Sequence, residues 1–259
     1  MIDRISEISI ARTLCENGFE SAEFEARQIA LAAENGEHAN RMLEQRLQRR
    51  PLQYILGKWE FYGLPFKVGE GVLIPRADTE IVVETAIKLL NGRRGAAVLD
   101  VCAGSGCIGI SLALKCSAKV TLLEKSAEAL GYLKDNLVLN RVNADVLEQD
   151  LFKDGLGATG CDMIISNPPY IKTAVLPTLS VEVKKEPVMA LDGGSDGLIF
   201  YKEITKRAKS ALVSGGYLVF EIGFDQRYEV SSILMKNGFK NINYVKDYGG
   251  NDRVVYGNI

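Results

Sequence analysis

Two rhythms of apolar and polar residues divide the chain. Through residue 50 the apolar positions recur at helical spacing, and that stretch contains no valine. Phe24, Ile29 and Leu31, set among alanines, predict a helix after Ser21. Ser21 is placed to cap it, Glu23 and Glu25 suit its first turn, and Asn35-Gly36 reads as its stop. A further helix is expected from about His38 to Arg50, ending before Pro51. Beyond Pro51 the segment WEFYGLPFKV (59–68) is aromatic and β-favouring around a Gly/Pro turn, which predicts a short hairpin. From Thr79 onward apolar runs alternate with helical stretches. Strands are expected at 97–101, 119–123, 144–148, 162–166, 217–222, 241–245 and 253–256. That alternation predicts an α/β fold with a doubly wound sheet, and the short 246–252 connection makes the last two strands antiparallel neighbours. The expected layout is a helical unit at 1–54, a hairpin linker at 55–75 and an α/β domain at 76–259.

Composition narrows the chemistry. The 259 residues are 47% apolar and 25% charged, an ordinary globular balance with a sizeable core. Lys plus Arg numbers 31 against 33 for Asp plus Glu, so the net charge of −2 gives no global footprint for nucleic acid. A single histidine, His38, excludes histidine metal triads and most Ser-His-Asp schemes. Five cysteines, an odd count without a C-x-x-C pair, read as reduced thiols and not as a disulfide framework or zinc site. The N-terminal charges Asp3, Arg4 and Glu7 interrupt any signal-peptide core. The uncharged run 101–114 is too short and glycine-rich to span a bilayer. A soluble, cytoplasmic, monomeric protein without a membrane partner is expected.

Strand 97–101 runs into Asp100-Val101-Cys102-Ala103-Gly104-Ser105-Gly106-Cys107-Ile108-Gly109 and then an apolar helix. Gly104, Gly106 and Gly109 spell G-x-G-x-x-G between strand and helix, where glycines let backbone N–H groups approach a ligand. Glu124 ends the next strand, twenty residues after Gly104, where a carboxylate can accept from both ribose hydroxyls. Both a dinucleotide and S-adenosylmethionine present such a ribose. Asp100 tips the balance toward S-adenosylmethionine, because an acid at that strand end suits a ligand ammonium and repels a pyrophosphate. Cys102 and Cys107 read as small residues filling tight space.

Strand 162–166 leads into Asn167-Pro168-Pro169-Tyr170, on the same carboxyl edge as the glycine loop. The two prolines fix φ and leave the Pro168 carbonyl as a rigid acceptor. Asn167 adds a side-chain oxygen, so two fixed acceptors suit an –NH₂ group with two donors, and Tyr170 offers a ring for a planar amide or base. Holding both N–H groups orients an otherwise poor nucleophile toward a sulfonium methyl, and no strong general base is required before attack.

These strings, together with Arg50-Pro51-Leu52-Gln53-Tyr54-Ile55-Leu56-Gly57, Phe61-Tyr62-Gly63-Leu64, Leu73-Ile74-Pro75-Arg76 with Thr79-Glu80, Glu186-Pro187 with Ala190-Leu191, and Gly193-Gly194 with Asp196-Gly197-Leu198, carry a resemblance over essentially the full length. The chain resembles the protein-(glutamine) methyltransferases of class 1 peptide chain release factors, the HemK/PrmC family. The Asn-Pro-Pro-Tyr element alone is shared with amino methyltransferases of DNA adenine and ribosomal RNA. The upstream strings narrow the match.

The resemblance implies a Rossmann-like S-adenosylmethionine-dependent methyltransferase sheet and an N-terminal helical domain that docks the release factor. It implies the glutamine amide of a Gly-Gly-Gln tip as acceptor, with no direct need for nucleic acid. By the same resemblance Cys102, Ala103, Gly104, Ser105 and Gly106 cradle the methionine moiety, and Glu124, standing where Asp is commoner, binds the ribose. Asp150-Leu151-Phe152 flanks adenine, with Leu151 where many relatives have an aromatic. Asn167, Pro168, Pro169 and Tyr170 hold the acceptor, Asn167 also lying close to the cofactor. Arg76 and Glu80 line the acceptor cleft, the alternative being a helix cap at Asp78 or Thr79 with Arg76 in a surface ion pair. Gln53, Trp59 and Phe61 read as packing residues, His38 as an exposed helix terminus, and Arg41, Arg46, Arg49 and Arg50 as a solvated face. The competing readings are an amino methyltransferase of DNA, ribosomal RNA or ribosomal protein, and a nucleotide-binding module without chemistry.

Overall fold

The helical rhythm of the N-terminal part resolves into α1 (Arg4–Glu16), α2 (Ala22–Ala32) and α3 (Gly36–Leu47) in a computed structural model that describes residues 4–259. Asp3, one of the charges read at the N-terminus, lies outside the described residues. Leu14, Ala26, Ile29 and Met42 form the core of this small unit. Ser21 stands at the N-cap of α2 without a side-chain capping bond. Asn35 does not stop α2, which ends at Ala32; it caps α3, its Oδ1 accepting from His38 N at 2.9 Å. Asparagine is among the best N-caps, so the Asn-Gly signal marks a start here. A one-turn helix α4 (Leu52–Leu56), too short to show a period, closes on Gly57 at φ +69°.

Arg46 departs from its expected place on a solvated face. It is 6% exposed, with Nε and Nη2 donating to Glu25 at 2.5 and 3.1 Å and Nη1 to Glu182 at 3.2 Å. A guanidinium can be buried there because two carboxylates satisfy its fork, and this pairing joins the helical unit to the segment that follows the Asn-Pro-Pro-Tyr element.

The hairpin forms as β1 (Lys58–Phe61) and β2 (Leu64–Lys67), turning at Tyr62-Gly63, where both φ values are positive (+53° and +71°). Pro65 therefore lies inside β2, opposite Glu60, a position open to proline in a two-stranded ribbon. Asn136 docks the hairpin. Its Oδ1 accepts from Lys67 N at 2.6 Å, while Nδ2 donates to the carbonyls of Lys67 and Ser105 at 3.1 and 3.0 Å.

The remaining elements are α5 (Glu80–Leu90), β3 (Ala97–Val101), α6 (Cys107–Cys116), β4 (Lys119–Glu124), α7 (Ala127–Leu139), β5 (Asp145–Glu148) and α8 (Leu151–Asp154). They continue with β6 (Cys161–Ser166), α9 (Ile199–Ala211), β7 (Leu212–Glu221), α10 (Arg227–Lys236), β8 (Lys240–Lys246) and β9 (Asp252–Asn258). The sheet order is β5-β4-β3-β6-β7-β9-β8. Its first five strands are parallel, and β9 runs antiparallel to both β7 and β8. One core packs α5, α6 and α7 on one face, and a second packs α9 and α10 on the other. The order reverses between β3 and β6, and open α/β sheets bind ligands beyond the strand ends at such a switch.

Gly109 sets the distance between α6 and the sheet. A Cβ there would lie 2.5 Å from Leu122 Cδ2 and 2.9 Å from Val120 Cγ1. Gly109→Ala is therefore expected to lower the unfolding free energy by about 1–3 kcal/mol despite alanine's better helix propensity. Urea unfolding checks this, and an unchanged midpoint would show that both β4 side chains can move aside.

Candidate active site

A cavity of about 350 Å³ opens at the carboxyl ends of β3, β4 and β6. Its floor is the glycine loop, whose Cys102, Gly104 and Gly106 all have positive φ (+61°, +56° and +81°). Cys102, Ala103, Gly104 and Ser105 lie on the wall; Gly106 does not. A Cβ on Gly104 would meet no protein atom within 4 Å, so this glycine leaves room for a ligand, not for a neighbouring side chain. Glu124 fastens the loop: Oε2 accepts from Gly104 N at 2.8 Å, and Oε1 accepts from Lys125 N and Ser126 N, each at 2.8 Å. The carboxylate is 9% exposed and borders the cavity.

Asp100 does not occupy the place the sequence gives it. It is fully buried and absent from the cavity wall, with Oδ2 accepting from Gly109 N at 2.9 Å. Burial without a cation partner pushes its carboxyl up to about 7. Its side chain braces the underside of the turn and is not presented to a ligand ammonium. Burial likewise raises the Cys102 thiol and pushes Cys107 up to about 12, which makes both poor nucleophiles.

Beside the loop, Asp150 caps α8, its Oδ1 accepting from Phe152 N at 3.0 Å. A hydrogen bond from Lys125 (Nζ to Oδ2, 2.9 Å) holds the Asp150 carboxyl below the usual carboxylate range. Leu151 and Phe152 follow on the wall, and Phe200 from α9 meets Phe152 edge-on at 5.1 Å. Sequence reasoning does not single out Phe200. It is remote in the chain, and nothing local distinguishes it from a core aromatic.

Of the Asn-Pro-Pro-Tyr element, Asn167 and Pro169 reach the cavity wall, whereas Pro168 is buried and Tyr170 half-buried behind it. The later glycine string is the backing of this loop. A Cβ on Gly193 would stand 2.7 Å from Tyr170 Cα, and one on Gly197 would stand 2.5 Å from the Tyr170 carbonyl oxygen. Gln226 Nε2 donates to that same carbonyl at 3.0 Å. Asn167 Nδ2 donates to Thr79 Oγ1 at 3.3 Å. Thr79 is 2% exposed and stands at the N-cap position of α5 without capping it.

Arg76 is not in the surface ion pair of the alternative reading, and Thr79 makes no capping bond to α5. Arg76 lies on the cavity wall and hydrogen-bonds the buried carboxylate of Glu186, which also accepts from Ile74 N at 3.0 Å. Glu80 does not reach the cavity; it accepts from Tyr62 N at 2.7 Å and holds the hairpin turn. Trp59 packs edge-on against Phe24 and Phe61 is core, as packing residues. Among the described residues no cluster of His, Cys, Asp or Glu is arranged to hold a metal ion, and no helix is long and apolar enough to cross a membrane.

An apolar slot, a carboxylate at a strand end and an asparagine amide thus share one cavity. A family pattern described as a small methyltransferase domain matches residues 78–184. By backbone shape the chain is similar to the T. Thermophilus 16S rRNA N2 G1207 methyltransferase solved with AdoMet and guanosine. The TM-score is 0.56 at 20% identity, over 78% of this chain and 49% of that one, a likeness of fold alone. A release factor glutamine methyltransferase of Fusobacterium nucleatum is 50% identical over 80% of this chain, which spans 60% of that relative's length. One of Clostridium botulinum is 41% identical over 83% of this chain and 77% of the relative. The chain belongs to the release factor glutamine methyltransferase family.

Proposed function

We propose that this protein transfers a methyl group from S-adenosylmethionine to the side-chain amide nitrogen of the glutamine in the Gly-Gly-Gln motif of class 1 release factors. On this reading it acts as a cytoplasmic monomer without nucleic acid. The observation that carries the reading is that Asn167 borders the same cavity as Gly104 and Glu124, so donor and acceptor groups can meet there. The names of its relatives supply the substrate class.

The residues present fit the cofactor. The open space over Gly104 suits a backbone-lined cradle, Glu124 Oε2 keeps a free acceptor site for a ribose hydroxyl, and Leu151, Phe152 and Phe200 suit adenine. When bound, S-adenosylmethionine supplies an electrophilic methyl whose bond to sulfur breaks, leaving the electron pair on sulfur, as the carbon–nitrogen bond forms. Asn167 Oδ1 and the Pro168 carbonyl take the two N–H groups of the acceptor amide and fix where its nitrogen points. Pro169, on the wall, restricts the plane in which the amide lies, and Tyr170 backs the loop from behind. The displaced amide proton leaves to water, since attack converts the nitrogen into a strong acid and no general base has to be poised beforehand.

Incubation with methyl-labelled S-adenosylmethionine should label a class 1 release factor and not a variant whose Gly-Gly-Gln glutamine is alanine; label only on added DNA or RNA would replace the reading. Asn167→Ala should cut kcat by about 100-fold or more, with cofactor Kd changed much less. Phe152→Ala should raise the cofactor Kd by up to about 10-fold, the loss of one aromatic contact, and leave kcat near its original value. Calorimetric titration of the cofactor beside the label assay separates these effects.

A further inference from the structure

Between Tyr170 and Leu191 the chain forms a strap of three short 3-10 turns, and Glu186 is its single buried residue. The strap begins and ends beside the acceptor loop, where Ile171 N donates to the Leu191 carbonyl at 2.9 Å and Gly193 N to the Ile171 carbonyl at 2.8 Å. Its apolar side chains give it little hold, and Met189 is 52% exposed. A segment with so few buried apolar contacts depends on polar anchors for its position. Two carboxylates four residues apart supply them. Glu182 Oε1 accepts from Arg46 Nη1 at 3.2 Å and from Arg49 Nη1 at 3.4 Å, both on the helical unit. Glu186 takes Arg76 and the Ile74 N–H.

The two clasps border a second cavity of about 270 Å³, lined by Arg46 and Trp59 on one side and by Glu182, Val183 and Glu186 on the other. The strap thus crosses from one clasp to the other over open space. Directly after Glu186, the residues Pro187, Met189 and Ala190 lie on the wall of the active cavity. Arg46 is a firm post for this arrangement, because Glu25 takes two of its other donors and fixes the guanidinium. We propose that Glu182 is a positioning residue for the acceptor: by anchoring the strap to Arg46 and Arg49, it sets where Pro187, Met189 and Ala190 stand on the cavity wall. The helical unit then frames the cavity although none of its described residues lines it. That this wall serves the acceptor follows from its continuity with the Asn-Pro-Pro-Tyr loop, and so rests on the reading above.

The test varies Glu182 and leaves Arg46 alone, since removing Arg46 would strand the buried Glu25 carboxylate. Glu182→Ala removes the anchor; Glu182→Gln keeps an oxygen for both arginines. Glu182→Ala is expected to lower kcat/KM for the release factor by about 10-fold, mostly through KM, with the greater part recovered in Glu182→Gln. Unchanged kcat/KM, or a loss that glutamine does not recover, overturns the proposal.

A second readout needs no acceptor, because three methionines report on three parts of the fold. Met42 lies in the core of the helical unit, Met163 in β6 and Met189 on the strap. In methyl-¹³C-methionine protein, with Met189 assigned against Met189→Leu, Glu182→Ala should move the Met189 resonance toward its random-coil position and leave Met42 and Met163 in place. A Met189 resonance that stays put overturns the proposal, as does one that moves only together with the other two, which would mark general loosening. Movement of Met189 alone, in a protein that puts no label on the release factor, would sink the glutamine reading and leave the anchoring role of Glu182 standing.

Discussion

Three backbone N–H groups converging on the Glu124 carboxylate hold the site in shape. Gly104 lies on one side of the cavity floor and Lys125 and Ser126 on the other, so a single side chain ties the turn after β3 to the turn after β4. A nearly buried carboxylate is tolerable there because charged acceptors bind N–H donors strongly, and three of them replace the water it loses. The left-handed turn at Cys102, Gly104 and Gly106 closes on a bond from Gly106 N to the Ala103 carbonyl at 2.8 Å, is held from above by Glu124, and runs into α6, whose first turn Asp100 fixes through Gly109 N. Remove either acid and the cavity wall loses its reference point.

What could be read in advance follows from how far each signal reaches along the chain. The strands of the sheet were legible because a central parallel strand such as β3 or β6 is a short, nearly continuous apolar run between polar turns. The hairpin was legible as a hairpin, but its turn shifted. Tyr62 adopts the left-handed conformation usually reserved for glycine or asparagine, and no residue pattern announces that. Helix α4 is one turn long, too short for a period to emerge.

Within the site, the glycine loop, Glu124 and Asn167 sit in contiguous strings, whereas Phe200 and Thr79 reach the same cavity from α9 and the start of α5. Only the fold brings them together. Asp100 illustrates the converse: its type and position were visible, but its turn away from the cavity depends on how closely α6 packs over the sheet and brings Gly109 N to the carboxylate. Similarly, Arg46 sits among arginines that look solvated, and only the approach of Glu25 and Glu182 makes its burial affordable.

The placement of β9 bears on when this molecule becomes complete. It is the last strand in sequence, yet it fills the gap between β7 and β8, and Val254 and Val255 are fully buried. Its pairing with β8 is a local hairpin, whereas its pairing with β7 reaches back across α10 and is the slower, less local contact. A nascent chain can already own the floor of the cavity while lacking Arg253, the cation that reaches Asp78, in the turn before α5, from β9. The electrostatic balance of the acceptor side is therefore assembled last, after the groove it serves.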